Sequence, residues 1–177
     1  SDLFPSMNWN TSYSEYLADL APWFEERFGP KFAQCRERMA RLLLEENKLM
    51  EIVKLIGSDV LPEDQKLVIE CAKVVRLGFL QQDAYQPIDT YVPIEKQYRM
   101  MDLVLYLYDS AKKVAQQGIP ISQLVSTGIF ELVTRMKYNI PNDDFSLFGD
   151  YKKKIDQAVE QAISKNTRQT EGEVKRA

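Results

Sequence analysis

The stretch that decides the fold is Pro30–Gln82, PKFAQCRERMARLLLEENKLMEIVKLIGSDVLPEDQKLVIECAKVVRLGFLQQ. Phe32, Cys35, Met39, Leu42, Leu49, Ile52, Val53 and Ile56 recur at three-, four- and seven-residue steps. That spacing puts them on one face of a helix with 3.6 residues per turn. Pro30 suits a first turn, where its missing N–H costs nothing and its φ is already helical. Gly57 stands where the chain must leave the helix. After Ser58-Asp59-Val60-Leu61, Pro62 opens a second helix that reads through to about Gln82. Glu63 and Asp64 fall in its first turn, where the helix dipole favours negative charge. So short a loop predicts an antiparallel hairpin.

Outward from the hairpin the chain stays helical. Residues 1–11 carry Pro5 and no period, and read as an extended lead-in. Thr11 or Ser12 can cap a short helix to about Leu20, and Pro22 starts another, WFEERF, closed by Gly29. Downstream, Asp83 to Pro93 carries two prolines and should be irregular. A third long helix begins at Pro93, with Ile94, Tyr98, Met101, Leu105 and Tyr108 as a core stripe, and ends at Gly118. Pro120 to about Val125 is a short helical turn. Thr127 can cap a helix through Lys137, which Pro141 cannot continue. Asp143 or Asp144 caps the last helix, with Phe145, Phe148, Tyr151, Ile155, Ala158 and Ala162 on one face. From about Ser164 the chain is polar without period and reads as disordered. No strand pattern survives. The fold class is all-α: an antiparallel helical bundle with irregular crossovers and a disordered tail. Residues 1–29 form the lead-in, 30–163 the bundle and 164–177 the tail.

Composition narrows the chemistry. The 177 residues, 45% hydrophobic and 28% charged, suit one domain with a real core. A net charge of −3 argues against non-specific nucleic-acid binding, which needs clustered cations. Cys35 and Cys71 sit inside helical patterns without a CxxC partner and read as buried thiols. There is no histidine, so a Ser-His-Asp or Cys-His site is excluded, and no Gly-rich phosphate loop occurs. No catalytic or metal-binding set is expected. No run approaches the length of a membrane span, and Asp2, Pro5 and Asn8 interrupt any signal sequence. A cytosolic location is the expectation.

A few features remain as candidate sites. Asp59, Glu63 and Asp64 cluster at the hairpin tip, either as helix-terminal charges or as a knob that touches a partner. Phe79 to Tyr85, FLQQDAY, is not core composition, and its aromatic could face outward or pack back on its own helix. Phe4-Pro5 with Asn8-Trp9 could anchor the lead-in. Tyr98, Tyr106 and Tyr108 read as core, and Lys152-Lys153-Lys154 as the solvated face of the last helix. A free-standing helical adaptor that grips a partner protein would explain the bundle and the acidic loop. It would not explain FPSMNW and FLQQDAY together.

In order and in register, LFPSMNW…TSYSEY, GSDVLPEDQK and FLQQDAY…DTYVP resemble the C-terminal region of the catalytic A-chain (alpha chain) of V-type and A-type rotary ATPases. The resemblance runs from about Leu3 to Lys137. It implies a helical domain of a catalytic chain whose phosphate loop and catalytic acid lie upstream, so this chain alone should be inactive. It implies ATP or ADP with Mg in the full-length protein, and transport of H+ or Na+ by the whole machine. Phe4 and Tyr85 would line the adenine pocket, Tyr85 standing where the family usually has Phe. Asp59, Val60, Leu61, Pro62, Glu63 and Asp64 would face the central shaft. The loop is less acidic than its F-type counterpart, which favours shape over charge attraction. The implied partners are B subunits and the shaft subunit, at the membrane periphery without insertion.

Overall fold

The computed structural model describes residues 19, 22, 26–80 and 92–177. Its elements are α1 (Pro30–Ile56), α2 (Glu63–Val75), a π-helical turn (Arg76–Leu80), α3 (Ile94–Gln116), α4 (Ile121–Val125), α5 (Ile129–Thr134), α6 (Met136–Asn139) and α7 (Leu147–Arg176). Among the described residues there is no strand. The expected all-α bundle is what forms. Phe4, Tyr85, all of the Thr11–Leu20 helix but Asp19, and most of the irregular crossover lie outside the described residues.

The α1–α2 hairpin packs against α3, which lies at the centre and also carries α7. The reason is in the composition of α3. Met100, Met101, Leu103, Val104, Leu105, Leu107, Ala111 and Val114 are all buried, more than one stripe of a helix can supply. Polar ties then fix the register. The Tyr106 hydroxyl donates to Asp156 at 2.6 Å, and Lys152 donates to Asp102 at 3.0 Å, joining α3 to α7. Lys152 is thus a cross-helix partner rather than part of a solvated run. Arg38 donates to Asp109 with both terminal guanidinium nitrogens, joining α1 to α3.

Lys96 is buried at the start of α3. Its ammonium donates to the carbonyls of Lys137 at 2.8 Å and Ile140 at 2.5 Å, and to Asn142 Oδ1 at 2.8 Å. Three donors meet three acceptors, which satisfies the group and closes the end of α6. Burial first, and the nearby Lys137 charge second, lower its pKa.

Four local expectations change. The second helix does not stay α-helical to Gln82, because its end widens into the π turn Arg76–Leu80. The helix from Thr127 to Lys137 is broken at Arg135 into α5 and α6. Thr127 donates to the Leu124 carbonyl at 2.6 Å and only loosely accepts from the Ile129 amide at 3.4 Å. The last helix starts at Leu147, and Asp144 instead accepts from the Ser146 amide and hydroxyl in the turn before it. Residues 164–176 are helical, continuing α7 to Arg176, in place of the expected disordered tail. Intrahelical hydrogen bonding needs no apolar stripe once a packed helix has already nucleated it.

Candidate functional site

The hairpin tip is built where α1 outlasts the core. Phe32, Met39, Leu42, Leu43, Glu46 and Leu49 are buried along its first part. Past Leu49 the apolar stripe continues but its cover thins: Val53 is partly buried against the core, and the stripe residues beside it are not. Ile52 is 40% exposed, Leu55 84% and Ile56 62%. The periodicity places Ile52 and Ile56 on the core face. Their spacing does keep the stripe, yet no neighbouring described element reaches far enough to bury it.

Gly57 ends α1 with φ +86°, a left-handed value that a side chain resists, and its amide bonds the Val53 carbonyl at 2.9 Å. The loop then divides its residues. Leu61 turns inward and is buried, its amide bonded to the Ser58 carbonyl at 3.1 Å. Val60 points out, 60% exposed, beside exposed Asp59. The Pro62 carbonyl accepts from the amides of Gln65 and Lys66, which starts α2 firmly. Glu63 is committed within the fold: one oxygen accepts the Ile121 amide at 2.8 Å, the other faces Lys66 at 3.4 Å. It satisfies a donor at the start of α4 that would otherwise be orphaned.

Of the six tip residues named from sequence, Asp59, Val60, Pro62 and Asp64 are therefore presented outward, while Leu61 and Glu63 are spent holding the loop. Sequence reasoning missed Leu55. The readable signal was an apolar residue lying off the core stripe two positions before the terminating glycine. The tip surface sets exposed Leu55, Ile56 and Val60 beside the exposed carboxylates of Asp59 and Asp64, and its stem is stiffened by the packed first part of α1.

Elsewhere the structure offers less. A groove of about 200 Å³ between α1 and α3 is lined by Arg38, Arg41, Leu42, Tyr108 and Lys112, among others. Arg38 is held by Asp109, and Lys112 lies over the Tyr108 ring at 4.8 Å. Both cysteines are free thiols. Burial, and then the charge of Asp102, push Cys35 up to about 11, and burial pushes Cys71 up further. Neither is a ready nucleophile. Among the described residues no three His, Cys, Asp or Glu side chains gather as metal ligands, and no helix is long and apolar enough to cross a membrane.

Residues 21–125, which include the hairpin, the π turn and α3, match the family described as the C-terminal domain of V and A type ATP synthase. The chain belongs to that family. Among its relatives, the V-type ATP synthase alpha chain 2 of Clostridium tetani is 47% identical over 160 residues, 90% of this chain and 27% of that protein. The V-type ATP synthase alpha chain of Halothermothrix orenii is 42% identical over 154 residues, 87% of this chain and 26% of that protein. The corresponding A-chain of the A-type ATP synthase of Methanopyrus kandleri is 37% identical over 161 residues, 90% of this chain and 27% of that protein. The chain spans about a quarter of the length of these relatives. Within this C-terminal domain the exposed tip is the best-formed candidate surface, and Phe4 and Tyr85 lie outside the described residues.

Proposed function

We propose that this chain is the helical lever of the catalytic subunit of a rotary, ion-translocating ATP synthase or ATPase. One observation carries the reading. The 27-residue α1, about 40 Å long at 1.5 Å per residue, ends in an uncovered apolar tip formed by Ile52, Leu55, Ile56 and Val60. A monomer gains nothing by leaving such residues clustered in water, whereas a partner surface can bury them.

The mechanics follow from packing. α1 is clamped to α2 and α3 by close-packed side chains and by the Arg38–Asp109 fork. Packed helices move as rigid bodies, so a displacement near Pro30 reappears at the tip. The tip pushes by shape, since the side chains it leaves most uncovered, Leu55, Ile56 and Val60, are apolar. In the assembled machine its partner is the central shaft, and B subunits flank the domain.

At the other end, Phe4 and Tyr85 close over the adenine of ATP or ADP. Flat rings stack on a flat base, and the fit tolerates the added hydroxyl of Tyr85 where it reaches solvent or a partner. Magnesium and the phosphates belong to residues upstream of this chain, which by itself is inactive. The machine moves H+ or Na+ and stands at the cytoplasmic face of the membrane.

The test is Leu55→Asp with Val60→Asp in the assembled enzyme. A carboxylate buried at a contact costs about 2 kcal/mol or more, so ATP-driven ion transport should fall by about tenfold or more. ADP affinity should hold. Normal transport by this variant would remove the tip from the shaft contact. In the full-length protein, Tyr85→Ala should weaken ADP binding by about 1–3 kcal/mol, the worth of one base stack. Unchanged affinity would end the adenine assignment.

A further inference from the structure

Phe32 packs its ring near Tyr98 and Arg38 donates to Asp109, so α1 and α3 run side by side in the same direction. Asp109 stands seven residues, about 11 Å, before the end of α3 at Gln116. Arg38 stands eighteen residues, about 27 Å, before the end of α1 at Ile56. α1 therefore overruns α3 by about 16 Å, and the hairpin tip hangs off that end of the bundle.

Such an overhang is only as well aimed as the contacts behind it. Two residues stand between exposed Val60 and Glu63. Leu61 is buried, and the ring of Pro62 holds φ at −61°. Leu61 anchors by apolar burial, which has no direction of its own. Glu63 supplies the direction. Its carboxylate accepts the Ile121 amide at 2.8 Å, fifty-eight residues along the chain. Ile121 is buried, and Pro120 before it has no side-chain oxygen to take that amide. A hydrogen bond of that length is well formed and directional. The other carboxylate oxygen faces Lys66 at 3.4 Å in a partly exposed position, a pairing worth little.

We propose that Glu63 is the positioning residue of the lever. By tying the start of α2 to the start of α4 it sets the direction in which Leu55, Ile56 and Val60 are held out, and it touches no partner itself. This rests on the reading of the tip as a partner contact. In the sequence Glu63 stands among the outward acidic residues; in this role its acceptor oxygen matters more than its charge.

In the assembled full-length enzyme, Glu63→Gln keeps an oxygen for the Ile121 amide and gives up only the loose pair with Lys66. ATP-driven ion transport per folded complex should then stay within about twofold of the parent. Glu63→Leu removes the acceptor at similar volume and should lower that transport by about threefold or more, the effect that residues outside a contact exert on it. In this chain alone, hydrogen exchange of the Ile121 amide should quicken by about tenfold in Glu63→Leu and hold in Glu63→Gln. Equal transport losses in the two variants would make Glu63 a charged contact and end the inference. An Ile121 amide that exchanges at the parent rate in Glu63→Leu would overturn the tie. Full transport per folded complex in Glu63→Leu, with the amide freed, would leave the bond merely structural, and the inference falls. Leu55→Asp with Val60→Asp separates the two readings. If it lowers transport while Glu63→Leu does not, the tip contact stands and the positioning role is wrong. If it leaves transport normal, the tip reading fails and the positioning role fails with it.

Discussion

Two helices of this molecule outrun the bundle, and they do so in opposite chemistries. α1 continues past its last buried residue, Leu49, with Ile52, Leu55 and Ile56 exposed. α7 continues past its last buried residue, Ala162, with serine, lysine, asparagine, threonine and glutamate. Along that second extension the Thr167 and Thr170 hydroxyls bond back to the carbonyls four residues earlier, at 3.1 and 3.0 Å. Its exposed large apolar residue is Val174. A polar helix end is content in water. An apolar one is costly there by about 25 cal/mol for each Å² left uncovered. The two ends therefore differ in what they ask of their surroundings, and only the α1 tip asks for a partner surface.

The sharpest way to break this contrast is to compare the two parts of α1. Met39→Ala removes a fully buried side chain and should cost about 2–5 kcal/mol in urea denaturation of this chain. Leu55→Ser, on the same helix, should change stability by less than about 0.5 kcal/mol. Comparable losses from both would mean that the tip is already packed in solution. The loop after α1 gives an intermediate case. Glu63→Ala leaves the Ile121 amide without its acceptor and should cost about 1–2 kcal/mol. Asp64→Ala, exposed in the same turn, loses only a helix-terminal charge and should cost no more than about 0.5 kcal/mol. Equal effects would return Glu63 to the outward-facing set.

The bundle itself was legible because the apolar period, the prolines at helix starts and the glycines at helix ends agree with one another. Pro30, Gly57, Pro62 and Gly118 mark the observed boundaries to within a residue or two. What periodicity could not report is which part of a stripe has a neighbour. Ile52 and Ile56 obey the same spacing as Met39, and only the arrangement of α2 and α3 decides that Met39 is covered and they are not. For the same reason the acidic residues of the tip look equivalent in sequence. Glu63 is engaged because α4, far along the chain, brings the Ile121 amide to it. The π turn was illegible too: it follows from the Glu46–Arg76 pair and the close approach of Gly78 to Thr134, both of long sequence separation. In α7, polarity reads as disorder, but the extension inherits its nucleus from the packed helix before it.

That inheritance yields the smallest expected effect. A helix end that is polar all round is held by its own hydrogen bonds and by continuity with Phe148, Tyr151, Ile155 and Ala162. Truncation after Ser164 should lower the far-ultraviolet helical signal in proportion to the residues removed. It should move Tm by no more than about 2 °C, because no core contact is lost. Gly172→Ala, inside the extension and with open space around its Cβ position, should raise the helical signal, since glycine weakens a helix interior by about 0.5–1 kcal/mol. A Tm loss of more than about 4 °C on truncation would show that the extension carries tertiary contacts. The two overhanging ends would then be alike in kind, and exposure alone would no longer single out the α1 tip as the surface that waits for a partner.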